Sequence, residues 1–110
     1  MTRPYRVIQY KTNGKTPSDE IADLLDLDVD VMPLAVELNA LLDGKGLLGP
    51  YFNPPMTSEI TIYALTAGQY HVLYSHHSKR HEICVLLFVK GPAKNALRSA
   101  ELRVRQLYQF

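Results

Sequence analysis

Several things are scarce or missing in this chain of 110 residues, and each absence removes a class of function. There is one cysteine, Cys84, so neither an internal disulfide nor a multi-cysteine zinc site can form. It sits inside the apolar run ICVLLF without a flanking basic residue, where a buried inert thiol is expected rather than a nucleophile. No apolar run approaches the ~18 residues that a membrane helix requires. The N-terminal stretch MTRPYRVIQYK lacks the apolar core of a signal peptide, so a cytoplasmic protein is expected. A nucleophile elbow, a phosphate loop and a dinucleotide fingerprint are all missing, which leaves metabolic enzyme chemistry with little support. Charge of one sign is also missing by region. Residues 17–43 hold eight acids and no Lys or Arg, whereas the first sixteen residues hold four basic residues and no acid. Residues 71–110 hold seven basic residues against two acids. If the two basic segments meet in space, a protein of net charge +1 carries a cationic surface that draws polyanions.

What is present suffices for a core. Hydrophobic residues make up 46% of the chain and charged residues 21%, and the length fits one small domain over residues 1–110. The alternation in Tyr5–Lys11 predicts a strand, and Asn13-Gly14 a turn. Thr16-Pro17-Ser18-Asp19 reads as a helix start, with Thr16 as cap, Pro17 in the first helical position and Asp19 near the positive dipole end. Ile21, Leu24 and Leu25 give that helix its apolar stripe. A second start at Met32-Pro33 leads into the stripe Leu34, Leu38, Leu41 and Leu42, closed by Gly44. Gly44–Pro55 reads as loop. Three β-runs follow, Ser58–Leu65, Tyr70–His76 and Glu82–Lys90, turning at Ala67-Gly68 and at Ser78-Lys79-Arg80. Helical spacing returns over Asn95–Leu107, with Leu97, Ala100 and Val104 on one stripe. The order β-α-α-β-β-β-α predicts an α+β fold. An antiparallel sheet would pack against an N-terminal helical hairpin and a C-terminal helix, with the helices on one face.

Four histidines stand in or beside the β-runs. His76 and His77 are adjacent, so on a strand they point to opposite faces. With His81 they lack the converging four-ligand spacing of a structural zinc site, and decoration of a hairpin tip is the simpler reading. No metal and no cofactor is expected. His71 interrupts Tyr70-His71-Val72-Leu73-Tyr74. A turn at Ala67-Gly68 sets it opposite Ala64, on a face with Ile62 and Leu73, while Thr61, Tyr63, Tyr70 and Tyr74 take the other face. A bulge at the turn would exchange these sets. Lys90, Lys94 and Arg98 follow. Tyrosines beside such cations can stack on bases while the cations hold phosphates, although aromatic side chains also simply suit a half-buried pleat.

The segments QYHVLY and EICVLLFVKGPAKNALRSAELR, separated by a polar turn, resemble the C-terminal half of RelE/HigB-type toxins of bacterial toxin–antitoxin systems, many of them phage-derived. The family shows a strand of the form Y-R-V-x-Y, then I-x-L-L-x-x-F-x-K, a polar link and a helix containing Glu. Here Tyr70–Tyr74, Ile83–Lys90 and Asn95, Leu97 and Glu101 hold those places. Upstream, Ser58-Glu59-Ile60-Thr61 resembles the family's E-L-R strand, and LLDGKGLLGPYFNPP resembles the segment leading into its sheet. The likeness runs through nearly the whole chain in order. Its specificity comes from the succession of short motifs.

The resemblance implies endoribonuclease activity on mRNA at the ribosome, and neutralisation by a cognate antitoxin, a small helix-turn-helix protein. It implies metal-free cleavage through the RNA 2′-hydroxyl. Carried over by position, the catalytic set is His71, Lys90 and Tyr74. The RNA-binding set is Lys94, Arg98, Tyr70, Thr61 and Glu59. Two family arginines are replaced, by His71 and by Thr61, which removes two permanent cations. Histidine offers an acid or base near neutrality in exchange. A catalytically impaired RelE-like binding or regulatory module, a gyrase-directed toxin of the related branch, and a structural or regulatory subunit whose acidic helical hairpin docks a basic protein are the alternatives.

Overall fold

The computed structural model describes residues 5–43 and 57–109. Strand β1 (Arg6–Gln9) leads to an Asn13-Gly14 turn, in which both residues take positive φ, 54° and 80°. Helix α1 (Pro17–Leu25) then starts as its sequence requires. The Thr16 hydroxyl accepts from the Asp19 amide at 3.1 Å, and the Asp19 carboxylate accepts from the Thr16 amide at 3.0 Å. That reciprocal pair satisfies two amides the helix leaves open. A 3₁₀ turn (Val29–Val31) runs straight into α2 (Met32–Leu42). Strands β2 (Ile60–Ala67), β3 (Tyr70–His77) and β4 (Glu82–Lys90) follow. A second 3₁₀ turn (Ala93–Ala96) opens α3 (Leu97–Tyr108). The expected Gly44 cap and the Gly44–Pro55 loop lie outside the described residues.

The fold class is the expected α+β, with two differences from the sequence reading. The strand order is β1-β4-β3-β2, and β1 runs parallel to β4, so the sheet is mixed rather than wholly antiparallel. The α1–α2 hairpin between β1 and the meander supplies the long crossover that a parallel neighbour needs. The helices also cover both faces, not one. Tyr70, Val72 and Tyr74 of β3 and Ile83 and Val85 of β4 pack with Ile21, Val31, Leu34, Leu38 and Leu41 beneath the hairpin. Ile62, Leu73, Cys84, Leu86 and Leu87 pack with Ala93, Ala100 and Val104 beneath α3. Apolar side chains fill both sides of β3 and β4, and such strands need cover on both sides. Burial outweighs capping here. Each fully buried Leu of α2 contributes about 1.5–3 kcal/mol, against about 1 kcal/mol for a helix cap.

Two local features set which side chains share a face. The β2–β3 loop is Gly68-Gln69, with Gly68 at φ +59°, the positive φ that a II′ hairpin wants at its first central residue. The register therefore differs by two residues from a turn at Ala67-Gly68. An even slip exchanges partners but not faces. The second feature is a bulge. Leu73 pairs with Leu87 but Tyr74 with Val85, leaving Leu86 as an extra residue in β4. Leu86 and Leu87 both join the core under α3, and beyond them Phe88 faces the hairpin.

Candidate nucleic-acid interface

The two basic segments do meet. Tyr10, the residue after β1, donates its hydroxyl to Gln106 of α3 at 2.7 Å, and the Arg103 guanidinium lies 4.9 Å from the Tyr10 ring centre. Lys11 and Arg103 line a shared depression of about 420 Å³ with Ser99 and Leu102. Arg103 also donates to the Leu86 carbonyl at 2.6 Å, so α3 satisfies a backbone oxygen at the bulge, where the strand ladder is broken.

His71 lies on this α3-bearing face, half-buried, with its Nδ1 2.9 Å from the Thr66 hydroxyl. The two residues are directly opposite each other in the β2–β3 ladder. Thr66 holds the ring through Nδ1, which leaves Nε2 without a hydrogen-bond partner among the described residues. On the other strand His71 faces Val89. From Val89 the chain turns through Gly91, at φ 100°, into the 3₁₀ turn bearing Lys94 and on to Arg98 in the first turn of α3. Both cations are exposed, and neither has an ion-pair partner among the described residues. The start of α3 has no side-chain cap and no acid in its first turn. The positive end of its dipole thus adds to Lys94 and Arg98.

The other expected site residues do not join this set. Lys90 ends β4 on the hairpin face, its ammonium 5.8 Å from the Tyr70 ring centre. The bulge is the cause. Without the extra residue, strand alternation would carry Lys90 to the face that holds Cys84 and His71. Tyr74 is fully buried and Tyr70 is 2% exposed, so neither ring can stack on a base. This corrects the expectation drawn from their spacing. Tyr74 stacks on Tyr63 at 5.4 Å, and Tyr70 stacks on Phe88 while donating its hydroxyl to Asp28. That bond holds the Asp28 carboxyl below its ordinary range and raises the Tyr70 phenol. Thr61 is opposite His76, on the hairpin face. Glu59 lies at the other end of the sheet, 3.9 Å from both His77 and Lys79.

The remaining histidines pack rather than decorate. The His81 ring stacks on Tyr5 at 4.0 Å, and His76 meets Tyr5 edge-on at 5.1 Å. Burial, then the neighbouring His81 and His77, lowers the His76 pKa. His77, on the opposite face, is buried against Tyr108. Tyr108 donates to the buried Glu82 carboxylate at 2.5 Å, and Arg6 lies 3.7 Å from the other Glu82 oxygen. Burial and this carboxylate push the Tyr108 phenol above its ordinary range. Burial pushes the Cys84 thiol up to about 12, consistent with an inert core residue. Among the described residues, no group of three or more His, Cys, Asp or Glu is placed to hold a metal ion. No described helix is long and apolar enough to cross a membrane.

This architecture is similar to that in the crystal structure of the archaeal RelE–RelB complex from Pyrococcus horikoshii OT3. The TM-score is 0.50 at 17% identity, over 80% of this chain and 96% of that one. The fold is RelE-like. At so low an identity the likeness speaks to the fold alone. No protein-family model matches the sequence, and no curated protein matches it.

Proposed function

We propose that this chain is the toxin of a toxin–antitoxin pair and acts as a ribosome-dependent mRNA endoribonuclease in the cytoplasm, as one RelE-like domain. A cognate antitoxin, a small helix-turn-helix protein, would be its partner. The observation that carries the reading is a half-exposed His71, oriented by Thr66, on the cationic side of a RelE-like sheet. The reaction needs no metal. The RNA 2′-oxygen attacks the adjacent phosphorus, its proton is taken up, and the departing 5′-oxygen is protonated. His71 Nε2 takes one of these two transfers, as base at the 2′-oxygen or acid at the 5′-oxygen, and solvent takes the other. Lys94 and Arg98 hold phosphate oxygens and offset charge on the phosphorane. Lys90, Tyr70, Tyr74, Thr61 and Glu59 are left out of this set by their positions.

A cleavage-dead RNA-binding module is the second reading. The permanent cations missing at positions 71 and 61, together with Lys90 on the opposite face, favour it.

The test is induced expression, with mapping of transcript ends and cleavage of ribosome-bound mRNA by the purified protein. The expected outcome is cut transcripts, with His71→Ala slowing cleavage by about 10²–10⁴-fold, the usual worth of a general acid or base. Salt-sensitive RNA binding without products would select the second reading. DNA damage preceding any RNA cleavage would indicate a gyrase-directed toxin instead.

A further inference from the structure

Among the described residues six large apolar side chains are exposed, and four of them, Leu27, Val29, Met32 and Val36, fall within ten residues of the helical hairpin. Val29, Met32 and Val36 are spaced i, i+3, i+7 along the 3₁₀ turn and α2, so they form one stripe. The inward stripe of α2 is already spent on Leu34, Leu38 and Leu41, and the outward one is surplus to the fold. Leu27 is 84% exposed and Val29 75%. A clustered apolar surface of this kind marks an interaction site.

The rim of the stripe says what it takes. Leu24 and Leu27 share a depression of about 300 Å³ with Glu20, Asp23 and Phe88. On the other side, Asp30 and Pro33 line one of about 560 Å³ with Gly68, Gln69 and Tyr70. Phe88, which lines the first depression, stacks on Tyr70, which lines the second. Lys15 pairs with Asp23 at 2.5 Å, and Lys90 adds its positive charge beside Asp28. Asp26, Asp30 and Glu37 form no ion pair among the described residues. An RNA backbone or an anionic membrane would be repelled by this rim. A second copy could seat only its basic α3 here. That head-to-tail contact does not close by two-fold symmetry.

We infer that the outer face of the α1–α2 hairpin is a docking surface for a cationic amphipathic helix of a protein partner. Apolar side chains of that helix cover Val29, Met32 and Val36, and flanking Lys or Arg residues meet Asp26, Asp30 and Glu37. This surface lies across the sheet from His71, so partner and polyanion can be held together. The inference does not depend on RNA cleavage.

The experiment uses two synthetic helical peptides of equal length, one of alternating Leu and Lys faces and one with Glu in place of each Lys. Amide resonances of the intact protein are followed during titration. The cationic peptide should shift Leu27, Val29, Met32 and Val36 saturably, and the acidic peptide should not. Met32→Lys with Val36→Lys should weaken binding by about tenfold or more, with an unchanged spectrum elsewhere and unchanged RNA cleavage. Equal binding by both peptides, shifts confined to α3, or full affinity in the double variant would overturn the inference. So would self-association of the unmodified protein that the double variant abolishes, which would make a second copy the occupant. A protein that binds the peptide but cuts no RNA would leave this inference standing and remove the nuclease reading alone.

Discussion

The two faces of the sheet are built from the same strands and reach opposite surface chemistries. Beneath the hairpin, Tyr70, Tyr74 and three leucines of α2 make a core of large side chains, roofed by a segment with eight acids and no base. Beneath α3, Cys84, Ala93 and Ala100 bring the helix close to the sheet, and its outer surface carries Arg98 and Arg105. His76 and His77 are neighbours in β3, yet the first meets Tyr5 edge-on on one side and the second meets Tyr108 edge-on on the other. A small domain can therefore present a cationic surface and an acidic one at once, provided the strands keep their alternation in register. The bulge at Leu86 is where the alternation shifts, and it puts Lys90 on the acidic side.

The strongest way to break this division is through Arg103, which reaches the Leu86 carbonyl from α3. Arg103→Ala should lower stability by about 1–3 kcal/mol, the cost of leaving a buried acceptor unpaired, as read from urea unfolding. Arg103→Lys should recover only part of it, because one ammonium cannot both reach the carbonyl and cover the Tyr10 ring. A variant as stable as the parent would show that the bulge holds without its side-chain partner.

A smaller effect separates the faces by pH. The His76 pKa is depressed from 6.5, so the unfolded chain takes up this proton first as pH falls. Stability from this group is then lost on going from above the ordinary value down towards the depressed one. The urea midpoint should drop between about pH 7.5 and about pH 5.5, and the drop should shrink in His76→Phe, which keeps a ring against Tyr5. Equal drops in both proteins would mean that another group controls acid sensitivity.

The smallest effect is expected at Ser75, fully buried on the α3 side, its hydroxyl without a partner among the described residues. Ser75→Ala removes an unpaired polar group and should leave stability unchanged or raise it by up to about 1 kcal/mol. A clear loss would reveal a hydrogen bond to solvent inside that core.

Elements with local signals could be read from the chain alone. The capping box at Thr16 and Asp19, the inward stripe of α2 and all three β-runs follow from composition and spacing within a few residues. The faces of β2 and β3 were also legible, because an error of two residues in the turn conserves them. Thr66 as the partner of His71 was not. It required placing the loop at Gly68-Gln69, for which Gly68 was the available cue. Lys90 could not be placed at all. No residue near Leu86 marks a bulge, and the group that satisfies it, Arg103, lies seventeen residues further on. The parallel pairing of β1 was hidden for the same reason, since its partner, Glu82–Val85, is more than seventy residues away.

The central claim is that RNA chemistry belongs to the α3 side, so the decisive measurement compares cleavage of ribosome-bound mRNA by His71→Ala and Lys90→Ala, each confirmed to be folded. The account predicts a loss of about 10²–10⁴-fold for His71→Ala and a loss under about tenfold for Lys90→Ala, a cation on the wrong face. Wild-type cleavage by His71→Ala, or a loss at Lys90 that equals or exceeds the loss at His71, would contradict it.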